Sequence, residues 1–135
     1  MHDPRVEAYA ALLVDRCIDP RPGWQVLVAT TDEAKPLARA LSRRLAQRGA
    51  WCLQRIALGA AFPVDLDWLE AAPADIAGRV PPLEQAVLDG VDAAIFVLAP
   101  AAGRHPATPQ AAAGVRALAS AYRDRGRRGE IPTVR

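Results

Sequence analysis

A chain of 135 residues, 51% apolar and 24% charged, suffices for one domain and on folding buries roughly 65–70% of its unfolded surface. That composition excludes wholesale disorder, and no apolar run reaches membrane-spanning length; the longest, Ala93 to Ala99, suits a buried strand. The net charge of +2 is unevenly spread: residues 1–115 hold eleven basic and thirteen acidic side chains, residues 116–135 six arginines against Asp124 and Glu130.

Asp3-Pro4 opens the first predicted helix, an N-cap acceptor followed by a proline whose missing N–H costs nothing there. Val6, Tyr9, Ala10, Leu13 and Cys17 recur at helical spacing and predict its buried stripe. Asp19-Pro20-Arg21-Pro22-Gly23 turns the chain into a strand over Trp24–Ala29, whose apolar run without strict alternation suits burial on both faces. Thr30 and Glu33 have capping-box spacing and predict the start of a second helix, with Ala34, Leu37, Ala38, Leu41 and Leu45 inward and Gly49 as its C-terminal cap. Ala50–Leu58 is the second predicted strand.

Residues 59–82 read as irregular, with a short helix around Pro63–Ala71 and a turn over Pro73–Gly78. Pro81–Asp89 predicts a helix with Leu83, Ala86 and Val87 inward, stopped by Gly90. Asp92–Ala99 is the third strand, Pro100–Thr108 a loop, and Thr108-Pro109 opens a last helix to about Arg125, with Ala111, Val115, Leu118, Ala119 and Tyr122 inward. Ile131–Arg135 resembles the start of a further strand, which suggests a piece of a larger protein. The order α-β-α-β-α-α-β-α-(β) predicts a three-layer α/β/α fold with a small, mostly parallel sheet, residues 1–135 forming a single domain.

In such sheets ligands sit beyond the carboxyl ends of the strands. Here those ends are Thr30-Thr31, Gly59-Ala60 and Pro100 to Arg104, which makes Thr31 and Arg104 candidate cleft-lining residues. The turn after the first strand has no glycine-rich phosphate loop, and Asp32 and Glu33 would repel a phosphate. His2, His105, Cys17 and Cys52 do not fall at metal-ligand spacing, and both serines, Ser42 and Ser120, lie within helices. The sequence therefore supplies neither a catalytic set nor a cofactor site of its own. Cys17 and Cys52 read as two buried free thiols, and His105 as a solvated surface histidine. Arg123, Arg125, Arg127 and Arg128 crowd the end of a helix, where cations suit the dipole, and with only Tyr122 among them no nucleic-acid contact is expected. The N-terminus, with Asp3, Glu7 and Asp15, lacks a signal-peptide layout, so a cytoplasmic location without a membrane partner is expected.

Three stretches taken together resemble the N-terminal domain of the thermophilic-type metallo-aminopeptidases, the aminopeptidase T and aminopeptidase S group. They are Tyr9 to Cys17 (YAALLVDRC), Pro22 to Val28 (PGWQVLV) and Thr31 to Leu41 (TDEAKPLARAL). Gly49-Ala50, Gly90 to Ala93 and Arg123 to Arg128 fit the same pattern more loosely. The resemblance covers most of this chain and about a third of a family member. It implies a parent activity that removes N-terminal residues from peptides, using two divalent ions, zinc or cobalt, held by Glu, His and Asp of a following C-terminal domain. It also implies that domain and a peptide substrate as partners, with a homo-oligomer as a further expectation. A relative of the family cleaves a dihydroxypyridine ring with iron on the same scaffold. None of the family's ligand motifs occurs here, so the chain alone is expected to be inactive; the alternative is a free-standing interaction or small-ligand-binding α/β module.

Overall fold

The computed structural model describes residues 3–98, 103–127 and 132–134. Helix α1 (Pro4–Leu12) continues as a π-helix (Leu13–Ile18) and leads to β1 (Gln25–Thr31). A 3-10 turn (Asp32–Ala34) precedes α2 (Lys35–Gln47), followed by β2 (Trp51–Ala57). Three short helices, α3 (Leu66–Ala71), α4 (Ala74–Ala77) and α5 (Pro82–Gly90), lead to β3 (Ala93–Val97). Helix α6 (Pro109–Arg127) then precedes β4 (Thr133–Val134). The strands form one parallel sheet in the order β2-β1-β3-β4.

Successive residues of β1 feed two different cores, which is why its middle, Val26–Ala29, is apolar without a break. Val26 and Val28 join Ala93 and Ile95 beneath α1, its π extension and α2. Leu27 and Ala29 join Ala94 and Phe96 beneath α3 to α6. This is the expected three-layer parallel architecture, helices on both faces of a sheet whose central strands carry no polar side. The strand beginning near Ile131 is present as β4, at the β3 edge; Ile131 and Arg135 lie outside the described residues.

Several local signals act as the sequence predicts. Asp3 accepts from the Arg5 N–H at 2.9 Å, and Thr108 Oγ1 accepts from the Ala111 N–H at 3.2 Å. Gly49 adopts φ +71, letting the Ala50 N–H reach the Leu45 carbonyl and the Gly49 N–H the Ala46 carbonyl, both at 3.0 Å, as in a Schellman ending.

Other expectations are corrected. Thr30 and Glu33 form no capping box, because β1 runs on through Thr31: Thr30 pairs with Ile56 and Thr31 with Ala57. The Thr30 hydroxyl donates to the Thr31 carbonyl at 2.8 Å, and α2 has no side-chain cap. Cys17 is exposed, because the wider π turns bring Val14 and Ile18 into the core beside Leu13 and rotate Cys17 outward. Tyr9 is exposed as well. In α5 the inward residues are Glu84, Val87 and Leu88, with Leu83 and Ala86 facing solvent. In α6 Gly114 takes an inward place and Ala119 is exposed. A Cβ on Gly114 would lie 2.5 Å from the Ala77 carbonyl oxygen and from Leu69 Cδ2, so its bare backbone lets α6 close onto α3 and α4.

Candidate functional site

Strand β1 lies between β2 and β3 and is the point from which the chain leaves in two directions, so its carboxyl end is where a doubly wound sheet would open a crevice. In this protein the loops after β2 and β3 join across that region. Arg104 donates its N–H to the Gly59 carbonyl at 2.8 Å and accepts the Ala61 N–H at 2.9 Å, forming an isolated parallel bridge between Ala60 and Arg104. Gly103 makes this approach feasible: a Cβ there would stand 2.2 Å from the Ala60 carbonyl carbon. Asp32, just beyond β1, accepts the Gly59 N–H at 3.1 Å and ties the same loop down.

The two residues singled out from the sequence therefore sit at one end of the sheet in different roles. Thr31 is fully buried, and its hydroxyl has no hydrogen-bond partner among the described residues. Arg104 is half-exposed and fixes α3 to the loop: its guanidinium reaches Glu70 at 3.1 Å and Asp67 at 2.5 Å. The Ala107 N–H, donating at 3.2 Å, and Arg104 hold the Glu70 carboxyl below its ordinary range. His105 is exposed, as expected, and its ring meets the Phe62 ring edge-on at 6.1 Å. Cys17 and Cys52 are both free, and burial pushes the Cys52 thiol up.

The more open feature lies along β2. A hollow of ≈ 1010 Å³ is bounded by the end of β2, by α3 and by the start of α5, with Ile56, Leu58, Val64, Trp68 and Leu83 among its lining residues. Below its apolar wall lies a network that sequence reasoning missed. The Glu84 side chain is 5% exposed and forms an ion pair with Arg55, and the Tyr122 hydroxyl donates to Glu84 at 2.9 Å. Burial raises the Tyr122 phenol, with Arg55 opposing, and its ring packs edge-on against Phe96 at 4.7 Å. Glu84, Val87 and Leu88 share the i, i+3, i+4 spacing of Leu83, Ala86 and Val87, and only the charge on Glu84 hid the true stripe.

Among the described residues no group of three or more His, Cys, Asp or Glu side chains is placed to hold a metal ion. The acids nearest the candidate sites are already engaged: Asp67 and Glu70 by Arg104, Glu84 by Arg55. These side chains do not fit a pair of divalent ions, which the resemblance assigns to a following C-terminal domain. No helix among the described residues is long and apolar enough to cross a membrane.

No protein-family model matches the chain, and no curated protein matches it. Among solved structures, wild-type AmpT from Thermus thermophilus is similar with a TM-score of 0.56 and 20% identity, over 87% of this chain and 31% of that one. The likeness is one of fold. This chain spans about a third of the length of AmpT.

Proposed function

We propose that this chain is an amino-terminal α/β scaffold domain of a metal-dependent aminopeptidase, with the metal ions and the catalytic residues on a separate C-terminal domain. The observation that carries this reading is the shared fold with AmpT across 87% of the chain, taken with the Tyr9–Cys17, Pro22–Val28 and Thr31–Leu41 stretches that resemble that family. In this role the domain would help to shape the cleft through which a peptide reaches the metals. The paired loops at Gly59–Ala61 and Gly103–Arg104 are the rigid part of that wall, because backbone bonds and the Arg104 ion pairs fix them.

Calorimetry with zinc and cobalt, together with hydrolysis of a leucyl chromogenic amide by the metal-loaded chain, tests the division of labour. The expected result is neither micromolar binding nor turnover. Tight binding of either metal, or turnover, overturns it.

The bare apolar surface along β2 favours a second reading, a free-standing interaction module of the same fold.

A further inference from the structure

We infer that two copies of this chain pair through β2, edge to edge and antiparallel, to join their sheets into one. The inference does not depend on the peptidase reading.

Strand β2 is an outer strand of the sheet and runs for seven residues without a bulge. The devices that normally blunt such an edge are missing: Trp51–Ala57 contains no proline and no lysine. Its one charge, Arg55, is turned onto Glu84 of the same chain and so is not offered to a neighbour. The Trp51 N–H donates to the Trp24 carbonyl at 2.7 Å, which directs that residue's backbone groups inward. Because strand residues alternate, Cys52, Gln54 and Ile56 present their N–H and carbonyl groups to the open edge.

The side chains beside that edge are large and apolar. Trp51 and Leu58 are each 72% exposed, Leu53 49% and Ile56 39%. With large apolar side chains near 200 Å² each, these four and the neighbouring Trp68 and Leu83 together expose roughly 700 Å², close to one side of a standard protein interface.

A second copy is the occupant that this edge fits. A two-fold axis perpendicular to the joined sheet sets the two β2 strands antiparallel, and full overlap of the seven residues centres the axis on Gln54. That register sets Cys52 opposite Ile56, both with outward backbone groups, so the ladder closes. On the face away from α2 it sets Trp51 opposite Ala57, large against small, and Leu53 opposite Arg55. No like charges meet in any of these pairs.

The register is tested by cross-linking. In a Cys17→Ser, Ile56→Cys chain, two thiols four positions apart on one strand cannot bridge within one copy, but Cys52 of one copy faces the new thiol of the other. Mild copper-catalysed oxidation, which removes one proton and one electron from each thiol as the S–S bond forms, should give a covalent dimer. Mass spectrometry should map its bridges to position 52 joined to position 56. Sedimentation of the unaltered chain should show a concentration-dependent dimer, and Leu53→Asp should raise its dissociation constant at least tenfold. If Leu53→Asp does not fold, hydrogen exchange on the unaltered chain replaces it: amides 52, 54 and 56 should gain protection as concentration rises. A strict monomer at millimolar concentration overturns the inference. So does a dimer that is insensitive at all these positions, or protection of these amides that appears only on adding an extended apolar peptide.

Discussion

The carboxylate of Glu84, in the first turn of α5, is buried against the guanidinium of Arg55 on β2. The Tyr122 hydroxyl of α6 donates to the same carboxylate, so one acidic group links an edge strand to two helices across the open side of the sheet. Burying a charge is costly unless it is paired, and the cost appears in full when one partner is removed.

Arg55→Leu should therefore destabilise the chain by about 2–3 kcal/mol, below the 3–5 of a fully buried pair because Arg55 keeps part of its surface in water. Adding Glu84→Leu should recover part of that loss, since no unpaired charge remains. Urea unfolding of the four members of the cycle measures the coupling. Losses that simply add in the double variant would show that the pair is incidental.

Gly114→Ala sets two effects of opposite sign against each other. On an exposed helix surface the change stabilises by about 1 kcal/mol. Here the new Cβ meets the Ala77 carbonyl oxygen, which is backbone and cannot move aside as a flexible side chain would. Overpacking of this kind costs typically 1–3 kcal/mol, so the net expectation is a lower melting temperature. A rise in melting temperature would mean that α6 can shift away from α4.

The two thiols should separate cleanly in reactivity. Cys17 is turned outward by the π turns, whereas burial raises the Cys52 thiol and starves it of thiolate. At pH 8 a disulfide reagent should label Cys17 much faster than Cys52, and Cys17→Ser should leave stability within about 0.5 kcal/mol of the parent. Comparable labelling rates would argue for a regular α-helix through residue 18.

Asp15 gives a pH dependence with a definite sign. Arg44 donates to it at 3.0 and 3.1 Å and Arg48 at 2.9 Å, and these bonds hold its carboxyl below the ordinary range against the opposing effect of burial. A carboxyl depressed in the folded state contributes stability that is present above its unfolded pKa, near 3.9, and is lost as pH falls through the folded value. Stability should thus fall in acid below about pH 4, and Asp15→Asn should flatten that fall while lowering stability at pH 7. Denaturant midpoints from pH 2 to 7 decide it.

How far the sequence could be read depended on whether a signal was local. Asp3-Pro4, Thr108-Pro109 and Gly49 act within one turn of chain, and they work as their residue types require. The β1 run could be read because burial on both faces leaves Val26 to Ala29 apolar without alternation. What could not be read was set by contacts distant in sequence. Thr30 has a good capping pattern but is held in the sheet by pairing with Ile56. Glu84 looks like an ordinary acid of a first helical turn, and only Arg55 and Tyr122, far along the chain, make its burial tolerable. The π segment is likewise invisible to a 3.6-residue period, which is why the spacing alone places Cys17 inward. At the candidate site, the loops after β2 and β3 could be placed at the right end of the sheet, but their union across it rests on Gly103 lying against Ala60.

Adjacent threonines at the end of β1 permit one last test. Thr30 and Thr31 are both fully buried, but among the described residues only the Thr30 hydroxyl has a partner, the Thr31 carbonyl at 2.8 Å. Valine matches threonine in shape, so each Thr→Val change chiefly removes the hydroxyl. At position 30 it removes a satisfied hydrogen bond and should cost about 1 kcal/mol. At position 31 it removes a buried oxygen with no partner, whose desolvation penalty is of the order of 1–3 kcal/mol, so the variant should be more stable than the parent. Thermal and urea unfolding of the two variants should therefore move in opposite directions. If Thr31→Val destabilises as much as Thr30→Val, the Thr31 hydroxyl is satisfied in solution and the end of β1 is wetter than its burial implies.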